Sequence, residues 1–189
     1  MRSNPISFDT KKLLEILHRD GVIAYPTEAV WGLGCDPFSE AAVKRVLSMK
    51  RRKKEMGLIL IAKDIEQLQP FLTGLLSREI IQLKKSWPGP QTWLVPNNNS
   101  APSWITGENK TLALRVTNHP TASKLCEIFG GPLVSTSANP HGLPPAKNIS
   151  QISTYFDKQI EYIIPGSLGE LLNPTPIKHL KTGKILRQG

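Results

Sequence analysis

The chain has little cysteine: Cys35 and Cys126 stand far apart and outside any CxxC spacing, so neither a zinc cluster nor a disulfide framework is supported and a reducing, cytoplasmic setting is expected. It also lacks a long hydrophobic run. No window approaches the roughly 20 apolar residues that cross a bilayer, and the opening "MRSNPISFDTKK" has no apolar signal core, so a soluble protein without a membrane partner is expected. Neither familiar phosphate loop is present: GxxxxGK[ST] does not occur, and "WGLGCD" does not reproduce GxGxxG after a strand. The four histidines, His18, His119, His141 and His179, show no HExxH relation, so no metal site is expected and their default place is a surface or loop.

Acidic residues are scarce too. Fifteen Asp and Glu against 24 Lys and Arg leave a formal charge of +9, which makes polyanions the natural partners. Aromatics are only 6% of the chain, with no RNP-type strand and no GXXG loop, which weighs against the common RNA-binding modules.

What is present suits one core. At 189 residues and 39% hydrophobic, a single domain over residues 1–189 is expected, with no boundary, repeat or low-complexity linker. Sixteen prolines and fourteen glycines, clustered between apolar runs, point to many turns in a mixed α/β protein. "DTKKLLEILHRDG" reads as a helix capped by Asp9, with Leu13, Leu14, Ile16 and Leu17 as its stripe; a second begins at Ser39 and buries Ala42, Val43, Val46 and Leu47. Further helices are expected near Ser77–Lys85, Pro120–Phe129 and Ser150–Phe156. Strands are expected at "VIAYP", "GLILIA", "TWLVP", "TLALRV", "PLVST" and "EYIIP", with a turn at Thr182-Gly183 before a last short strand. "NNNSAPSWITGENK" reads as an exposed polar loop, and Trp87 as a packing residue in a rigid turn.

Chemistry concentrates in four places. Lys50 to Lys54 are five consecutive cations at a helix end, more than a helix dipole needs, so some face water and others an anion. Alternation in "TLALRV" puts Arg115 with Ala113 on the face opposite Leu112, Leu114 and Val116, where a carboxylate or phosphate partner is expected, in an ion pair or a site. "PLVSTSANP" ends a strand in small polar side chains that let anionic oxygens approach. "AYPTEAVWGLG" places Thr27 and Glu28 after a strand, Glu28 being a candidate base or an ordinary solvated or hydrogen-bonding residue.

Together, "AYPTEAVWGLGCDP", "MKRRKKEMGLILIA", "WPGPQTW", "LALRVTNHP", "LVSTSAN" with "GLPPA", and "LRQG" resemble, in order, the YrdC (TsaC) family of threonylcarbamoyl-AMP synthases, from about Phe8 to Gly189. The resemblance implies an open, twisted, mixed α/β sheet with flanking helices and a positively charged concave face. It implies that L-threonine, bicarbonate and ATP, with Mg²⁺, give threonylcarbamoyl-AMP and pyrophosphate for threonylcarbamoyladenosine in tRNA. It implies that Thr27, Arg115 and Ser135 bind threonine, that Lys50 and Arg52 act catalytically on the triphosphate, and that Ser137, Asn139 and Arg187 contact the nucleotide. Lys50 and Arg52 would share one side of an extended segment, leaving Arg51, Lys53 and Lys54 to solvent or RNA; tRNA and the transferase that consumes the product are the further partners implied. Two departures stand out: Lys53 and Met56 where the family often has proline and asparagine, and "LNPTPI" in place of a late Ser/Thr-Thr-hydrophobic-Val-Asp segment, with Thr175 the substitute hydroxyl. The competing readings are a non-catalytic RNA-binding maturation factor and a carbamoyl transferase for another acceptor.

Overall fold

The computed structural model describes residues 8–189. Along the chain run α1 (Thr10–His18), β1 (Ile23–Pro26), β2 (Trp31–Gly34), α2 (Glu40–Met49), β3 (Ile59–Ala62), α3 (Gln69–Leu72), α4 (Ser77–Ser86), β4 (Thr92–Pro96), α5 (Ser103–Thr106), β5 (Thr111–Val116), α6 (Pro120–Phe129), β6 (Leu133–Ser137), α7 (Ile149–Phe156), β7 (Tyr162–Ile163), β8 (Ile177–His179) and β9 (Ile185–Arg187). Caps fall where short polar side chains precede apolar stripes: the Asp9 carboxylate accepts from Lys12 N and the Ser39 hydroxyl from Ala42 N.

The strands form one open sheet in the order β7-β1-β2-β6-β3-β5-β4-β8-β9, with both parallel and antiparallel pairs. This is the mixed α/β architecture that the resemblance implied. One face carries Leu33, Leu60, Leu112, Leu114 and Val134 beneath α2, α4, α5 and α7. The other carries Ile23, Tyr25, Ile61 and Leu133 beneath α1 and α6. Alternation in β5 is as expected, with the leucines turned to the first core and Ala113 and Arg115 to the second face.

Two expectations need correction. β2 was not anticipated: "WGLG" forms a buried antiparallel hairpin with β1, although glycine disfavours strands. Packing explains it, since a Cβ at Gly34 would lie 2.6 Å from the Tyr25 ring and 2.8 Å from Val134 O. "NNNSAPSWITGENK" is not simply an exposed loop: it contains α5, buries Ile105 and Thr106, and the Trp104 indole donates to Pro37 O at 3.0 Å. Among the described residues, no helix is long and apolar enough to cross a membrane.

Candidate active site

The second sheet face is covered at one end only. Register aligns Ile61 with Arg115 and Leu133, and Ile59 with Ala113 and Ser135. The helix α6 packs on the Ile61–Leu133 end, and a cleft of about 300 Å³ occupies the other. Its lining includes Thr27, Gly32, Arg52, Ile59, Ala113, Arg115, Ser135, Ser137, Thr175 and Arg187. The outer wall comes from β8 and β9, which set Ile177 opposite both Thr92 and Arg187.

The basic run enters through the end of α2. Arg51 N donates to Ser48 O at 2.9 Å and Arg52 N to Leu47 O at 2.9 Å, the paired bonds of a Schellman cap, with Arg51 at φ +50° where glycine is usual. This corrects the extended geometry expected of Lys50-x-Arg52: Lys50 is helical, Arg51 left-handed, and the two side chains part. Lys50 is 4% exposed and does not line the cleft; its ammonium donates to the carbonyls of Ser137 and Asn139, the latter at 2.8 Å, and so braces the floor behind it. Arg52 does line the cleft, held by Gly57 O at 2.9 Å, while its Nε is a buried donor without a protein partner. Arg51, Lys53 and Lys54 are exposed.

Arg115 is 4% exposed and has the ion-pair partner expected of a mid-strand arginine: Glu28 Oε2, 3.4 Å from Nη2. Glu28 is therefore not a solvated residue. It is 5% exposed and its Oε1 accepts from the Thr117 hydroxyl at 2.6 Å. Arg115 Nη1 donates to Thr175 Oγ1 at 2.7 Å and Thr92 Oγ1 at 3.2 Å, and its Nε, like that of Arg52, has no partner in the protein. Guanidiniums that line a cleft with no carboxylate in its lining favour an anionic ligand.

The remaining expected residues divide. Thr27, Ser135 and Ser137 line the cleft, Thr27 Oγ1 donating to Val30 O at 2.7 Å and keeping its lone pairs for a ligand. Arg187 lines it too, clamped to Thr175 O by Nε at 2.9 Å and Nη2 at 2.6 Å. Asn139 is not in the lining: its amide donates to Leu143 O at 2.6 Å and Pro140 O at 3.2 Å, and its carbonyl receives Lys50, so it shapes the loop. His119 is not a surface residue either; it is 6% exposed and caps α6, Nδ1 accepting from Ala122 N at 3.4 Å. Sequence reasoning missed Thr92 and Thr117 as supports of the Arg115–Glu28 pair; the only signal was a hydroxyl inside or just after a strand.

Arg52, Arg115 and Arg187 line one cleft with Lys50 behind its floor, and the Glu28 carboxylate pairs with Arg115. Burial, with the nearby charges of Arg115 and Arg52, pulls Arg187 below the usual guanidinium range. Burial and Arg52 lower Lys50 from 10.5 to about 8. Between those values the unfolded chain binds more proton than the folded one, so this contribution to stability rises with pH. Between pH 8 and 9, Lys50→Met is expected to flatten the pH dependence of the denaturant-unfolding free energy relative to the parent; identical slopes would contradict the assignment. Above 9 the buried Cys126 thiol, pushed up from 9.0 to about 12, acts in the opposite sense.

Residues 15–189 match the Sua5/YciO/YrdC family, described as telomere recombination. The chain is 52% identical over 172 residues to a threonylcarbamoyl-AMP synthase of Cellvibrio japonicus, covering 91% of each chain. To one of Pseudomonas savastanoi it is 47% identical over 183 residues, 97% of this chain and 98% of that one. Among solved structures it is similar to E. coli YciO (TM-score 0.84, 25% identity, 98% of this chain and 92% of that one). It is also similar to P. abyssi Sua5 complexed with L-threonine (TM-score 0.86, 30% identity), covering 96% of this chain and 55% of that longer one. With an open mixed sheet, a cation-lined cleft and relatives matched nearly end to end, the chain belongs to the Sua5/YciO/YrdC family.

Proposed function

We propose that this protein is a threonylcarbamoyl-AMP synthase, forming threonylcarbamoyl-AMP and pyrophosphate from L-threonine, bicarbonate and ATP for threonylcarbamoyladenosine in tRNA. The observation that carries this reading is the convergence of Arg52, Arg115 and Arg187 on one cleft whose lining holds no carboxylate. The names of the relatives supply the chemistry. The RNA-grip reading is less favoured, because three arginines converge inside a cleft while of the basic run Arg51, Lys53 and Lys54 are left on the surface.

In the proposed reaction the threonine amine attacks bicarbonate carbon, water leaves, and a carbamate forms. A carbamate oxygen then attacks the α-phosphorus of ATP and the bond to the β-phosphate oxygen breaks, releasing pyrophosphate. Arg115 holds the threonine carboxylate, with Thr27 and Ser135 beside it. Arg52 and Arg187 face the polyphosphate, where added negative charge in the transition state strengthens their interaction. Ser137 lies on the floor between the two ends, and Lys50 holds that floor from behind. Catalysis is mainly positioning and exclusion of water from an unstable carbamate, with no covalent nucleophile.

Mg²⁺ meets no carboxylate in the cleft lining, and among the described residues no three His, Cys, Asp or Glu side chains gather. It would arrive on the ATP phosphates as part of the substrate. A cytoplasmic setting, transient contact with the consuming transferase, and contact of tRNA with the exposed cations belong to the same proposal.

Purified protein with ATP, Mg²⁺, bicarbonate and L-threonine is expected to release pyrophosphate, and omission of threonine or bicarbonate to abolish release. Release independent of threonine, or none under any condition, would overturn the synthase reading.

A further inference from the structure

Thr175 stands between two arginines that the proposed function assigns to different substrates. Its hydroxyl accepts from Arg115 Nη1 at 2.7 Å and from Arg187 Nη2 at 3.4 Å, and its carbonyl accepts both Nε and Nη2 of Arg187. A hydroxyl oxygen has two lone pairs, and the two guanidiniums take both. The site is built rather than incidental. Thr175 is 5% exposed, Thr92 Oγ1 lies 3.4 Å from its hydroxyl, and the next carbonyl, Pro176 O, accepts from Thr92 N at 3.0 Å, so the backbone here is fixed to β4.

The two arginines also sense each other's charge, since Arg115 is among the causes that hold Arg187 down. A carboxylate on Arg115 offsets that repulsion, and the shared hydroxyl keeps Arg187 aimed while it does so. Resting on the synthase reading, we propose that Thr175 is a positioning residue that couples the two subsites, so that L-threonine and the nucleotide each tighten binding of the other. Linkage requires the effect to be equal in both directions. The departure "LNPTPI" thus supplies a hydroxyl and a carbonyl that tie the outer wall to both arginines.

The test titrates L-threonine calorimetrically into the protein alone and into protein saturated with a non-hydrolysable ATP analogue and Mg²⁺. The parent is expected to bind threonine about fivefold or more tighter with the analogue present, a typical coupling strength. Thr175→Ser keeps the hydroxyl and should keep that factor. Thr175→Val keeps the branched shape and the carbonyl bonds to Arg187, and should bring the factor close to one while each ligand alone still binds. Thr175→Ala, if the valine variant does not fold, carries the same expectation. Coupling undiminished in Val or Ala, or absent in the parent, overturns the inference. A parent that binds neither ligand overturns the synthase reading itself, and binding of both without coupling overturns only the role of Thr175.

Discussion

Arg52→Ala is expected to lower kcat/KM for ATP by about a hundredfold, the equivalent of about 2–3 kcal/mol for a charge-assisted contact that strengthens in the transition state. The structure singles out Arg52 because it is the member of the basic run that lines the cleft. Its fixed protein contacts are to carbonyls, Gly57 O at 2.9 Å and Met56 O at the limit of 3.5 Å, so truncation uncovers acceptors that water can reach and the folding cost should stay near 1 kcal/mol. Steady-state pyrophosphate release at varied ATP, beside a denaturant melt, separates the two effects. Arg52→Lys should recover only part of the loss, because an ammonium cannot present the planar fork. Normal turnover by Arg52→Ala at saturating ATP, with KM unchanged, would remove Arg52 from the triphosphate. Lys50 is a poorer first target, since its ammonium holds the Ser137 and Asn139 carbonyls and its loss would disturb the floor as well as the charge.

Much of the sheet was legible because its strands follow simple alternation or short apolar runs. "TLALRV" separates its two faces without ambiguity, and "GLILIA" reads as a buried strand in any register. What escaped depends on partners distant in the chain. The hairpin strand "WGLG" is half glycine, which weakens its strand signal, and Gly34 is there because Tyr25 and the β6 backbone press where a side chain would be. The helix α5 holds only Ser103–Thr106, too short for periodicity to show, and its Trp104 is tied to Pro37 across the fold.

The site was legible through resemblance more than through physics. Ordered motifs brought Thr27, Arg52, Arg115, Ser135, Ser137 and Arg187 to one cleft, as the lining shows. The misplacement of Lys50 has a local cause: Arg51 in the left-handed region closes a Schellman cap, and a non-glycine residue there cannot be foreseen from spacing. Glu28 and His119 looked like ordinary polar residues because their burial is made by segments far along the chain, Thr117 for the one and Ser167 for the other. A sequence shows which side chains can carry charge, but not which charges the fold will enclose together.

Replacing Arg115 should have the largest combined effect. Arg115→Met removes the proposed partner of the threonine carboxylate and leaves the buried Glu28 without its cationic partner, so it is expected to cost about 3–5 kcal/mol of stability as well as threonine binding. Activity alone could not then tell a lost contact from a damaged fold. The double variant Arg115→Met with Glu28→Gln resolves this. With both charges gone, the penalty for the lone carboxylate disappears, and an uncharged pair of similar volume is often close to neutral, so most of the lost stability should return. Threonine binding should not return, because no cation has been restored at that end of the cleft. Denaturant melts and calorimetric titration of L-threonine on the parent, both single variants and the double variant complete the cycle. Recovery of both properties together would make Arg115 a structural partner of Glu28 and nothing more; recovery of stability alone places its function on the substrate.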